Sequence, residues 1–110
     1  MLGFRLYLAQ RLTAVIMAPL VLLHLGVMIY AIRGGLDASE ILGRTQGSVL
    51  WATVYGLFVI CAAIHGAIGL RVVLHEVMGP ARRFLDLFTW VVVVLLLALG
   101  LRAVYAVVMP

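Results

Sequence analysis

Within one short stretch, HGAIGLRVVLHE (His65 to Glu76), the chain places an imidazole, a glycine, an arginine, a second imidazole and a carboxylate. A neutral imidazole binds metals and carries protons, and histidine is a common axial ligand of haem iron. Gly69 lies one helical turn beyond His65, on the same face of a helix. The missing side chain there leaves room for a flat macrocycle beside the imidazole, and Gly66 and Ala67 keep the neighbourhood small. Arg71 follows ~9 Å further along such a helix, where it could meet an anionic propionate or a quinone oxygen. The same residue types also suit plain helix packing, with His65 hydrogen-bonded to a neighbouring helix. Both possibilities stand at this point.

What must position these groups follows from hydropathy. The chain has 110 residues, 66% hydrophobic and 11% charged. A water-soluble domain of this size cannot hide so much apolar surface. Three apolar runs hold the excess: residues 12–32, 49–70 and 87–108, with Arg102 their only formally charged member. At ~1.5 Å per residue each gives roughly 30 Å of helix, the thickness of a bilayer's hydrocarbon core. The expected fold is all-α and integral to the membrane, one domain over residues 1–110 with three transmembrane helices. The first run is too long for a signal peptide and lacks a small-residue cleavage site.

All eight basic residues are arginine, and the formal net charge is +4. With the N-terminus inside, Arg5, Arg11, Arg71, Arg82 and Arg83 fall on the inner side. Arg33, Arg44 and Arg102 fall on the outer side, diluted by Asp37 and Glu40. That bias predicts an N-in, C-out topology. The arginines lie at helix ends and form no solvated basic face, so nucleic-acid binding is not expected. The segment MLGFRLYLAQR is expected to lie along the inner interface, and Pro19 to kink the first span. Asp37 and Glu40 have capping-box spacing for a short surface helix near residues 38–42. Asp86 is placed to cap the third span.

Polar groups inside a bilayer are costly and usually paired, which keeps the candidates few. They are His24 in the first span and His65 in the second, with Arg11, Arg71, His75 and Glu76 at or just beyond the inner boundary. Arg82 and Arg83 read as a topology and lipid-contact signal. Trp51, Trp90, Tyr30 and Tyr105 read as interface anchors, and Arg102 as a side chain that snorkels outward. Cys61 is the only cysteine, which excludes an intrachain disulfide and a thiolate cluster, and it reads as a small buried hydrophobe.

HGAIGLRVVLHE resembles the second-helix signature of the membrane-anchor (cytochrome b) subunits of succinate dehydrogenase and fumarate reductase. That signature reads His-x-x-x-Gly-x-Arg followed by an acidic residue, with the histidine an axial ligand of haem b. His65, Gly69, Arg71 and Glu76 fall on its positions, with Glu where Asp is common. Near the start, Gln10-Arg11-Leu12-Thr13-Ala14 is similar to the family's His-Arg-x-Ser-Gly segment, whose arginine helps form the quinone pocket.

The resemblance implies haem b as cofactor, ubiquinone or menaquinone as redox partner, and flavoprotein and iron–sulfur subunits that carry the dicarboxylate chemistry. It also implies a multi-pass protein of a bacterial inner (cytoplasmic) membrane, catalytically inert toward succinate or fumarate by itself. Two departures stand out. The quinone-site serine of many members is Tyr7 here, whose phenol could replace the hydroxyl, and the tyrosine that follows the acidic residue in some anchors is Val77.

His24 lies ~20 Å from the inner edge and His65 ~9 Å, so one chain is not expected to ligate a single iron from both sides. Either His65 pairs with a histidine of a second anchor chain, identical or different, or His24 also serves a second, outer haem. Structural duty for His24 remains a third option. Three helices surround a porphyrin poorly, which also predicts a second membrane chain. Two rival functions compete with this one. A small transporter would need a membrane-embedded acid, and none of the three runs contains Asp or Glu. A cofactor-free structural membrane subunit requires that His24 and His65 only hydrogen-bond across helices.

Overall fold

The computed structural model describes residues 3–109. Four helices follow one another: α1 (Phe4–Arg33), α2 (Ala38–Thr45), α3 (Val49–Met78) and α4 (Arg82–Val108). No strand occurs among the described residues. α1, α3 and α4 are long and apolar enough to cross a membrane, while α2 is a short surface turn. The long axis is 48 Å, which matches a bilayer of roughly 40–45 Å with its headgroup layers included.

Each long helix outruns its apolar stretch. No glycine or proline interrupts the chain between Phe4 and Ala18, so α1 starts at Phe4, and residues 4–11 continue the spanning helix and do not form a separate interfacial piece. Met1 and Leu2 lie outside the described residues. Pro19 sits within α1 without ending it. α3 runs on through Arg71, His75 and Glu76 until Gly79, whose left-handed backbone (φ 56°, ψ 41°) closes the helix with its N–H on the His75 carbonyl. Glycine tolerates that conformation at little cost. α4 then begins at Arg82 behind Ala81, so Asp86 lies inside the helix and does not cap it.

Asp37 does cap α2, accepting from the Ser39 backbone N–H (3.2 Å) and hydroxyl (2.8 Å). Glu40 does not complete a capping box. Its carboxylate turns back onto Gly34, in the space a Cβ would fill. α2 docks on the end of α4: the Thr45 hydroxyl donates to the Val107 carbonyl (2.6 Å) and the Gly47 N–H to the Val108 carbonyl (2.7 Å). These bonds satisfy carbonyls that a helix end leaves without intrahelical partners.

α3 is central. It packs against α1 on one side and α4 on the other, and those two make no comparable contact with each other. The residues it buries are mostly small: Cys61, Ala63 and Ala67, with Ile68. Small side chains let helix backbones approach closely where lipid, not water, is the competing solvent. Gly100 of α4 carries this furthest, since the Val59 side chain occupies the place of its absent Cβ. Most large apolar side chains face outward, as lipid-facing helices require.

Candidate functional site

His65 faces α1. Its Nδ1 lies 3.3 Å from the Thr13 hydroxyl oxygen, which is buried in the α1–α3 seam. That hydroxyl donates its single proton within its own helix, to the Ala9 carbonyl at 2.7 Å, with the Gln10 carbonyl at 3.1 Å. It therefore has a lone pair to offer His65 in the tautomer that carries its proton on Nδ1. The proton on Nδ1 leaves the Nε2 lone pair available to a metal. Histidine ligands are commonly oriented in this way, by a hydrogen bond from the ring nitrogen that does not bind.

Gly69 faces the same helix. A Cβ there would lie 3.7 Å from the Gln10 amide nitrogen, an ordinary contact. The gap left by Gly69 is thus partly roofed by Gln10, whose Oε1 is buried without a hydrogen-bond partner. An unpaired acceptor and an available imidazole nitrogen on one seam suit a polar-edged cofactor. A single imidazole with a free ring nitrogen is the kind of donor a porphyrin iron takes. Among the described residues no three His, Cys, Asp or Glu side chains cluster to hold a metal ion by themselves.

Arg71 turns to the other side of α3. Its Nη2 pairs with Asp86 at 2.8 Å and its Nη1 donates to the Thr89 hydroxyl at 3.1 Å, so it ties α3 to α4. It also lines a cavity of about 1180 Å³ at the N-terminal end of the bundle, together with Arg5, Tyr7, His75, Glu76 and Arg82. With Arg71 paired to Asp86, Arg5 and Arg82 against Glu76 still leave this wall a positive bias. Arg11 stands beside it, with its guanidinium carbon 5.9 Å from the centre of the Tyr7 ring.

His24 is elsewhere. Its ring meets Tyr55 edge-on (6.1 Å between centroids) and Phe58 at 5.3 Å, in the half of the bundle near α2. Thr13, which marks the depth of His65 on α1, lies eleven residues or ~16 Å before His24. On α3, Phe58 lies seven residues or ~10 Å before His65. The two imidazoles therefore occupy different levels, as their sequence positions predict.

Sequence reasoning missed three partners. Thr13 and Gln10 belong to the segment that drew attention through Arg11, yet their roles depend on which side of α1 meets α3. Asp86, the partner of Arg71, was read as a cap. The available signal was a carboxylate near the start of one span and an arginine near the end of the preceding one.

Three spanning helices, one central, with polar groups gathered at the ends and on one seam, define a multi-pass helical membrane subunit. The family described as succinate dehydrogenase/fumarate reductase transmembrane subunit matches residues 2–104. The chain belongs to that family. Searches of curated proteins and of solved structures found no match to the chain. Family membership sets aside the small-transporter alternative and implies a complex with the other subunits of such an enzyme.

Proposed function

We propose that this chain is a haem b-binding membrane anchor of a succinate:quinone oxidoreductase, working between the iron–sulfur subunit and ubiquinone or menaquinone. It would reside in a bacterial inner membrane with its N-terminus inside, beside a second anchor chain, identical or different, that would help hold the haem. The observation that carries this is the Thr13–His65 contact within a chain of this family. Haem b, when bound, supplies a one-electron carrier at the depth of its ligands.

The chain's own residues do the rest. His65 would bind through Nε2, and Thr13 would hold the ring in the tautomer and orientation that binding needs. Gly69 leaves clearance on the same face, and Gln10 presents an acceptor and donors beside it. Arg71, fixed by Asp86 and Thr89, contributes charge to the wall of the N-terminal cavity, where anionic or carbonyl oxygens would be met. Arg11 and Tyr7 form the quinone-facing edge of that end, with the Tyr7 phenol as hydrogen-bond donor. His24 has two roles open to it, ligand of a second haem or packing against Tyr55 and Phe58.

The test is a dithionite-reduced minus oxidised spectrum of the purified complex, with haem counted per flavin. The wild type should give a b-type α band, and His65→Ala should lose it while the subunits stay associated. Full haem content in His65→Ala would overturn the assignment. His24→Ala, measured beside it, separates one haem from two.

A further inference from the structure

A second cavity, about 580 Å³, lies at the α2 end of the bundle and is walled by all four helices. Its lining is apolar except for His24, Arg44, Thr45 and Tyr55. Thr45 is engaged with the α4 carbonyl. Arg44 is only partly satisfied. Its guanidinium lies over the Tyr30 ring, 5.0 Å from the centroid, and its Nη2 is buried with no hydrogen-bond partner. Among the described residues the one ion pair is Arg71–Asp86, on other helices. Of the carboxylates closest to Arg44 in sequence, Asp37 accepts from Ser39, and Glu40 lies against Gly34 and forms no ion pair with Arg44.

A guanidinium nitrogen withdrawn from water without an acceptor is costly, and an anion removes the cost. The rest of the cavity asks for hydrocarbon. Met28, Ile32 and Leu36 line it and are also exposed, so it opens sideways on the face where lipid lies. We propose that this cavity holds one anionic phospholipid, with its phosphate oxygens accepting from Arg44 and an acyl chain lying against the apolar wall. A phosphate matches the planar guanidinium with paired hydrogen bonds. A quinone would offer Arg44 only neutral carbonyl oxygens. The inference does not depend on His65 binding haem.

The test uses the intact complex, extracted in neutral detergent, with bound lipid identified by native mass spectrometry and phosphorus NMR. Wild type should retain phosphatidylglycerol tightly. Arg44→Gln keeps hydrogen-bond donors but not the charge, and should weaken retention about ten- to a hundredfold. Arg44→Lys should keep part of the affinity, and Arg33→Gln, at an exposed arginine near the same end, should keep all of it. Equal retention in wild type and Arg44→Gln overturns the proposal. So does a neutral lipid, a quinone or a haem found in the cavity, or a disulfide from Ala103→Cys to another subunit, which would mean that protein fills it. If Arg44→Gln does not assemble, wild-type complex in nanodiscs gives the second measurement. Phosphatidylglycerol should raise its melting temperature above that in phosphatidylcholine, and equal melting temperatures overturn the proposal.

Discussion

The Thr13 hydroxyl and the His65 imidazole join α1 to α3: Thr13 has the Ala9 carbonyl of its own helix as its shortest acceptor, and the His65 tautomer protonated on Nδ1 completes the contact as donor. Replacing Thr13 with Val keeps the shape and removes the acceptor. Loss of such a supporting partner typically costs about 10- to 100-fold in metal affinity. Thr13→Val should therefore lower haem per flavin and shift the haem potential, and Thr13→Ser should restore both. Nitrogen-15 NMR of labelled histidine reads the tautomer independently of haem, with Nδ1 protonated in wild type and a mixture in Thr13→Val.

Gly69 separates packing from cofactor space. An alanine Cβ there meets only the Gln10 amide, at ordinary contact distance, so Gly69→Ala should leave the helix bundle at least as stable as wild type, with a gain of up to about 1 kcal/mol from helix propensity. Gly69→Phe should abolish haem binding, because the ring fills the clearance beside His65. Retention of haem in Gly69→Phe, measured by the α band, would place the porphyrin elsewhere.

Gly66 and Gly100 face the same seam and should respond differently. Beyond Gly66 the nearest atom is a Leu96 methyl at 3.6 Å, so alanine is expected to be tolerated. At Gly100 the stiff Val59 side chain already occupies the position. Overpacking of about 1–3 kcal/mol outweighs the ~1 kcal/mol gain in helix propensity. Gly100→Ala should lower the melting temperature of the complex, and Gly66→Ala should not.

The Arg71–Asp86 pair should couple modestly. The Asp86 side chain is 53% exposed, which keeps the pair within reach of solvent screening. A double-mutant cycle with Arg71→Gln and Asp86→Asn is expected to give about 1 kcal/mol or less. Thermal melts of the four proteins check it.

Tyr7→Phe removes a phenol and leaves the ring under Arg11. Quinone reduction by the intact complex should fall several-fold, mainly through KM, with haem content unchanged. Unchanged turnover would remove Tyr7 from the quinone-facing edge.

The spans were legible because apolar length in a bilayer has few interpretations. Their ends were less so. Residues 4–11 and 71–78 mix polar with apolar types, which hides the helix ends, but nothing in them breaks a helix, and the backbone continues outward to Gly3 and Gly79. Asp86 caps nothing for a related reason: Gly79 closes α3 early enough for α4 to start at Arg82, four residues before it. The partners of His65 and Arg71 were not legible at all. Each lies on another helix, and sequence spacing on one helix says nothing of how its neighbour is rotated.

Because α3 alone touches both other long helices, the order of synthesis constrains maturation. α1 leaves the ribosome first and has no partner until the residues around His65 are also in the bilayer. Until then the seam side of α1, with the Thr13 hydroxyl bonded only within its own helix, is left to lipid or to other proteins.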